Sequence, residues 1–318
     1  MFPGLYEFSE SARRIRPFIH HTPVLTSENL NHLSGAFLFF KCENFQKAGA
    51  FKMRGAANAV LQLPDESRKF GVATHSSGNF AQALSLSAKN AGLKAYIVMP
   101  ENAPLVKKQA VLSYGAEIID CAPNLEAREQ TLKVVVEKTG AFFIHPYNDL
   151  KVITGQGTAA MELINDTGKL DAIIAPVGGG GLISGTALAS HYLLPDAAIF
   201  GAEPLGADDA YRSFHEGKII PSVNPVTIAD GLRTSLGDIT FPILKELLTE
   251  IIRVEEHEIV AAMKLIWERM KIIVEPSGAV PLAAVLKEKH LFKGKRVGII
   301  LSGGNVDLSG IPFFKVSI

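Results

Sequence analysis

The chain has 318 residues, 47% of them hydrophobic, which is enough for one large or two moderate domains and too apolar for a disordered chain. Lys and Arg total 32 against 32 Asp and Glu, and no basic run is interleaved with aromatics, so neither nucleic acid nor an anionic membrane is expected as a partner. The two cysteines, Cys42 and Cys121, make no disulfide framework and read as small core residues in a reducing, cytoplasmic compartment. The segment Met1-Phe2-Pro3-Gly4-Leu5-Tyr6-Glu7 lacks the regions of a signal peptide, and no run of about 18 apolar residues suggests a membrane span. The nine histidines show no metal-ligand spacing of the His-Glu-x-x-His kind.

In chain order, the apolar run Phe37-Leu38-Phe39-Phe40 leads to a helical pattern that opens at Lys52. Gly71 to Thr74 reads as a strand and Ala81 to Ala91 as a helix. Ala95 to Met99 and Ala116 to Ile119 read as strands, Glu126 to Lys138 as a polar helix, and Ala141 to Ile144 as a further strand. Asp171 to Val177, Ala198 to Ala202 and Arg296 to Leu301 complete the strand series. These runs are almost continuously apolar, as in strands covered on both faces of a parallel sheet, and their alternation with helices predicts an α/β fold. A smaller α/β unit is expected over 70–148, and a larger one over 1–69 with 149–318.

Lys52 stands out because a helix start disfavours cations, yet this one carries Lys52 and Arg54. One reading is a solvated surface lysine. The other is chemistry: burial and a positive potential push a lysine toward the neutral amine that an aldehyde cofactor needs for a Schiff base.

Ligands of open α/β sheets bind at the carboxyl ends of strands, and three turns there are unusual. Thr74-His75-Ser76-Ser77-Gly78-Asn79 is packed with hydroxyls and an amide. Val177-Gly178-Gly179-Gly180-Gly181-Leu182 combines close-approach glycines with a helix start, the makings of a phosphate cup. It lacks the Lys-Ser/Thr of a P-loop. Dinucleotide binding stays open, since Gly179, Gly181 and Gly185 fit a loose glycine pattern with Glu203 about twenty residues on; so does a plain tight turn. In Leu301-Ser302-Gly303-Gly304-Asn305, Ser302 could hydrogen-bond a pyridine nitrogen without protonating it, or simply cap a turn.

Together these motifs resemble the fold-type II pyridoxal-phosphate (PLP) enzymes, in the serine racemase and threonine (serine) dehydratase family, and the resemblance covers nearly the whole chain. It rests on Phe40-Lys41-Cys42-Glu43-Asn44-Phe45-Gln46-Lys47, Gly155-Gln156-Gly157-Thr158, Glu203-Pro204 with Ala207-Asp208-Asp209, Trp267-Glu268-Arg269-Met270-Lys271, Glu275-Pro276, and Ser302 to Leu308. It implies a two-domain fold of open, mostly parallel sheets, with the small domain moving on substrate binding.

By that resemblance Lys52 holds pyridoxal 5'-phosphate and handles the α-proton on one face. Phe51 packs near the ring, Asn79 meets the ring hydroxyl, Gly178, Gly179, Gly180, Gly181 and Leu182 hold the phosphate, and Ser302 meets the pyridine nitrogen. Ser76, Ser77 and Asn79 bind the substrate carboxylate, with Arg128 and Thr234 nearby. Ser77 is also the acid/base opposite Lys52 in racemases, where plain dehydratases carry alanine; inverting a centre needs a proton from each face. Glu203, the Ala207 carbonyl and Asp209 match a site for magnesium, calcium or manganese. Ser27, Lys47, Gln82, Tyr114, Lys271 and Asn305 match an ATP effector site, but Glu28, Asn29 and Ala48 depart from it, and Glu28 would set a carboxylate beside the phosphates.

Phe80 replaces the histidine usual after Ser-Gly-Asn, and Tyr147 replaces the asparagine of animal racemases. The implied substrates are L-serine, L-threonine, D-serine and 3-hydroxyaspartate, acted on by a homodimer without a regulatory domain. A β-replacing synthase would carry Thr-Ser-Gly-Asn-Thr-Gly, which is absent. A dinucleotide-dependent oxidoreductase would leave Lys52 and Ser302 unexplained, and a non-catalytic PLP-binding protein would keep Lys52 without turnover.

Overall fold

The computed structural model describes residues 2–103 and 105–308; the two ends of the expected larger unit, at residue 1 and at 309–318, and residue 104 of the smaller one lie outside the described residues. Ten strands are described: β1 Val24–Leu25, β2 Phe37–Cys42, β3 Val72–His75, β4 Ala95–Pro100, β5 Glu117–Cys121, β6 Phe142–Phe143, β7 Ala172–Pro176, β8 Ala198–Pro204, β9 Glu250–Val254 and β10 Arg296–Leu301. They form a six-stranded sheet in the order β1-β2-β10-β7-β8-β9 and a four-stranded sheet in the order β5-β4-β3-β6. Every described pairing is parallel except β1 with β2.

Burial follows the two-residue period of a strand. In β7, Ile173 and Ala175 face a core with Ile153, Leu163, Ile183 and Ala187. Ala172 and Ile174 face the other side, with Ala279, Val280 and Ala283 of the helix Pro276–Lys287. The smaller sheet divides the same way: Val72, Ile97 and Met99 pack with Met53, Ala56 and Leu84, while Ala73 and Val98 pack with Leu132 and Val135. The central strands read from the sequence are therefore covered on both faces, whereas the edge strands β5 and β6 expose side chains.

Helix Leu150–Thr167 is the axle that places the site. A side chain at Gly155 would stand 2.7 Å from the Arg54 carbonyl, and one at Gly157 would stand 2.5 Å from the Gly185 carbonyl. Bare backbone at these two positions lets helix Lys52–Leu61 and helix Gly181–Leu193 approach the same rod. Between them, Gln156 Oε1 accepts the Gly55 N–H at 3.1 Å. The Gly-Gln-Gly motif thus fixes Lys52 relative to the glycine turn. Among the described residues no helix is long and apolar enough to cross a membrane.

Candidate active site

Two of the three strand-end turns reach Lys52 or its neighbours, and the glycine turn is linked to it through Pro146 and Tyr147. The Phe51 N–H donates to the Ser302 carbonyl at 3.0 Å, and Ala50 bridges to Gly303, so the end of β10 is tied to the residues just before Lys52. The turn after β3 arrives through Phe80, whose ring centroid is 5.8 Å from Lys52 Nζ, opposite the Phe51 ring at 5.0 Å. Phe80 is 2% exposed and belongs to the apolar core under the smaller sheet. The side chain in the usual histidine position therefore helps remove water from the amine.

Lys52 Nζ donates to the Pro146 carbonyl at 3.0 Å. Burial pushes its pKa down to about 8, while the charge of Glu275 pulls the other way. About one amine in ten is then neutral at pH 7, against about one in three thousand for an ordinary lysine. The neighbouring cation behaves differently. Arg54 is 0% exposed, and its guanidinium donates to Glu43 at 2.7 Å and to Glu162 at 2.7 Å. One awkward cation at this helix start is paired; the other is pushed toward losing its proton.

The glycine turn is buried throughout. A side chain at Gly179 would meet the Tyr147 ring at 2.4 Å, and Gly180 adopts φ +88°, the left-handed region that favours glycine. Thr240 Oγ1 donates to the Gly179 carbonyl at 2.9 Å and holds the turn from outside. Helix Gly181–Leu193 then starts without a side-chain cap, which leaves its first N–H groups free for an anion. In its first turn the buried Ser184 hydroxyl has no partner.

Asn79 Nδ2 donates to both Glu275 oxygens, at 2.8 and 3.1 Å, and Asn79 Oδ1 accepts from Asn305 Nδ2 at 2.9 Å. Burial pushes Glu275 up to about 7. Ser302 is 2% exposed at the end of β10. Ser76 and Ser77 are half-buried, and Ser76 Oγ accepts the Gly78 N–H at 3.3 Å. The half-buried Arg128 lies close enough to His75 for its charge to help hold that ring neutral. Thr234 Oγ1 lies 3.4 Å from where a Gly178 side chain would begin.

Apart from this cluster, Glu203 is the penultimate residue of β8 and Asp209 opens helix Asp209–Glu216, with Ala207 buried between them. Glu203 accepts the N–H groups of Ala210 and Tyr211 at 3.0 and 2.8 Å; both Asp209 oxygens are buried, and among the described residues no donor reaches either in hydrogen-bonding geometry, although Ser222 is near enough to favour the carboxylate. Burial raises both carboxyls, Asp209 to about 6, and the Asp209 charge raises Glu203 further. Among the described residues no three His, Cys, Asp or Glu side chains are grouped to hold a metal. Of the residues matched to a nucleotide site, Asn305 also bonds the Ala48 carbonyl, Ser27 caps helix Glu28–Ser34, and Lys271 Nζ donates to the Glu268 carbonyl. Gln82 is buried. Among the described residues no hydrogen bond joins Ser27, Lys47 or Tyr114 to the Lys52 cluster.

Residues 15–303 match the family described as "Pyridoxal-phosphate dependent enzyme". The chain belongs to that family. It is 53% identical over 311 residues to a serine racemase of Dictyostelium discoideum, covering 96% of each chain. It is also 53% identical over 314 residues to a beta-hydroxyaspartate dehydratase of Paracoccus denitrificans, covering 98% of this chain and 100% of that one. The solved structure of maize serine racemase superposes with a TM-score of 0.95 at 47% identity, over 97% of this chain and 95% of that one.

As a PLP-dependent enzyme, the chain has residues that fit the cofactor: an amine with a lowered pKa, a cradle that a single Cβ would fill, and free N–H groups at an uncapped helix start. The sequence reading had no role for the Pro146 carbonyl, for His145 beside it, or for Thr240. Glu275 entered only as part of a motif. Of these, only Glu275, a carboxylate ahead of Pro276, left a trace in the sequence.

Proposed function

We propose that this chain is a serine racemase that also deaminates L-serine and L-threonine by β-elimination. Gly178 to Gly181 with Leu182 hold the cofactor phosphate, Asn79 and Ser302 meet its ring, and Lys52 holds it covalently. Bound there, pyridoxal phosphate supplies an electron sink that makes the α-proton of an amino acid removable. Lys52 Nζ takes that proton on one face, which its low pKa allows near neutrality. Ser76, Ser77 and Asn79 orient the substrate carboxylate, with Arg128 and Thr234 at the margin. Proton return from Ser77 Oγ on the other face gives D-serine. Loss of the β-hydroxyl as water, followed by hydrolysis of the released enamine, would instead give pyruvate from serine, or 2-oxobutyrate from threonine, with ammonia.

One observation carries the reading. The turn with Ser77 reaches Lys52 from a different sheet than the glycine cup does, through Phe80 at 5.8 Å. That approach supports a site served by two proton-bearing groups, Lys52 and Ser77. We assign 70–148 to a small domain that moves on substrate binding, and 1–69 with 149–318 to a large domain. The buried oxygens of Asp209 beside Glu203 support a bound magnesium, calcium or manganese ion, completed by the Ala207 carbonyl and water. The balanced charge and the buried, reduced cysteines support a cytoplasmic protein, and the family supports a homodimer. Nucleotide activation is left outside the proposal because of Glu28.

A second reading, a 3-hydroxyaspartate dehydratase without racemase activity, is favoured by the Paracoccus relative. Arg128 would meet the extra carboxylate. Chiral product analysis with L-serine, D-serine, L-threonine and 3-hydroxyaspartate, with and without magnesium, separates the two. Ser77→Ala is expected to lose D-serine formation by at least about 100-fold, within the usual worth of a positioned acid/base, and to keep most elimination. Equal loss of both would refute the two-base assignment.

A further inference from the structure

The loop between β6 and helix Leu150–Thr167 connects the smaller sheet, Lys52 and the glycine turn. It leaves the smaller sheet tied by Ile144, whose N–H donates to the Ala73 carbonyl at 3.0 Å and whose carbonyl accepts Thr74 Oγ1 at 2.9 Å. The Pro146 carbonyl then accepts Lys52 Nζ. The Tyr147 ring covers Gly179. Asn148 Nδ2 donates to Asp238 at 2.6 Å, and its Oδ1 accepts the Ile239 N–H at 3.0 Å, one residue before the Thr240 that holds the cup.

His145 closes this loop on itself. Its Nδ1 accepts the N–H groups of Tyr147 at 3.3 Å and Asn148 at 2.9 Å. That is the pattern an asparagine or aspartate makes when it bonds backbone two and three residues ahead. The ring also stands edge-on to Tyr147, with centroids 4.5 Å apart. Two donors aimed at Nδ1 leave no room for a proton there, so the ring is neutral and carries its hydrogen on Nε2. Burial, with His75 and Lys52 close by, disfavours the cation further, against the opposing charge of Asp238.

We propose that His145 is a positioning residue: by accepting two backbone N–H bonds, it holds the Pro146 carbonyl on the Lys52 amine and the Tyr147 ring over the glycine cup, so that the two anchors of the cofactor are set by one loop. The proposal rests on the reading of Lys52 and the cup as the cofactor site. Its chemistry predicts which substitutions are tolerated. Asparagine can supply an acceptor to the same N–H groups; phenylalanine keeps the ring and removes the acceptor.

The test uses purified holoenzyme, with the cofactor dissociation rate followed by transfer to a scavenging apo-enzyme. His145→Phe is expected to lose cofactor about tenfold faster than wild type, the effect of about one hydrogen bond. His145→Asn should stay within about threefold of wild type. Nitrogen-15 NMR of histidine-labelled wild type at neutral pH gives a readout that needs neither variant folding nor turnover, and should show the Nε2–H tautomer at His145. The inference is overturned if His145→Phe keeps the wild-type rate, if His145→Asn is no better than His145→Phe, or if His145 carries a proton on Nδ1. A wild-type protein that takes up no cofactor overturns the proposed function, and this inference with it. A wild type that binds cofactor beside an indistinguishable His145→Phe overturns the inference alone.

Discussion

Two strand-end turns are tied to the same amine and are built on opposite terms. The glycine turn after β7 is enclosed on every side: Tyr147 covers Gly179, Thr240 and Leu236 press on Gly180, and the Gly231 carbonyl lies 3.0 Å from where a Gly178 side chain would begin. The turn after β3 is half-buried, and the space beside Gly78 is open, with no atom within 4 Å of an added Cβ. The first is a fixed mould, which suits a resident cofactor phosphate. The second has room to re-form around a substrate that comes and goes. Rigid placement and free volume are both needed at such a site, and here they belong to different sheets.

The largest test of this contrast is Gly179→Ala. Its Cβ would stand 2.4 Å from the Tyr147 ring, so either the ring or the cup must move. Overpacking of this kind costs about 1–3 kcal/mol, and the cofactor should be held roughly 10–100-fold less tightly. Equilibrium dialysis of the apo-protein against pyridoxal phosphate measures it. An affinity equal to wild type would mean that the mould is not rigid.

A smaller effect is expected where the two turns meet electrically. The free amine attacks the cofactor aldehyde only when neutral, so reconstitution of apo-protein should speed up as pH rises, with a midpoint at about 8 rather than at the ordinary lysine value of 10.5. Glu275, bonded to Asn79 of the open turn, is the charge that opposes this shift. Glu275→Gln removes that charge, so the protonated amine loses support and the midpoint should fall below its wild-type position. Stopped-flow reconstitution across pH 6–10 reads it (the range brackets roughly two units either side of 8). A midpoint that rises, or does not move, would separate Glu275 from Lys52.

How much of this was legible in the sequence depends on what carried each feature. The glycine turn, Lys52 and Ser302 stand out in the sequence because their side chains, or the lack of them, are the signal; the roles given to them remain proposals. The central apolar strands were readable because both faces are covered. β1 and β9 were missed: each lies at an edge of the larger sheet, β1 is only two residues long, and β9 mixes Glu250 and Arg253 into its run. The partner of the Lys52 amine could not be read at all, since it is a backbone carbonyl 94 residues away. Arg54 looked as unusual as Lys52, and only its partners in space, Glu43 and Glu162, reveal that it is an ion-pair residue. Phe80 read as a lost hydrogen-bond donor; the fold makes it a wall that dries the amine.

The smallest expected effect is the control for the whole comparison. Gly78 has φ −125°, outside the left-handed region, so its backbone carries no requirement for glycine there. Its added methyl meets nothing. Gly78→Ala should therefore change cofactor affinity by less than about threefold, the scatter of a neutral surface substitution. If the open space is where substrate is received, the methyl should act on KM for L-serine before it acts on kcat, because it occupies ground-state room without touching Lys52. Steady-state kinetics and dialysis on the same preparation decide it. A loss of cofactor matching that of Gly179→Ala would make both turns part of one mould, and the division between a fixed anchor and an adaptable receiver would not stand.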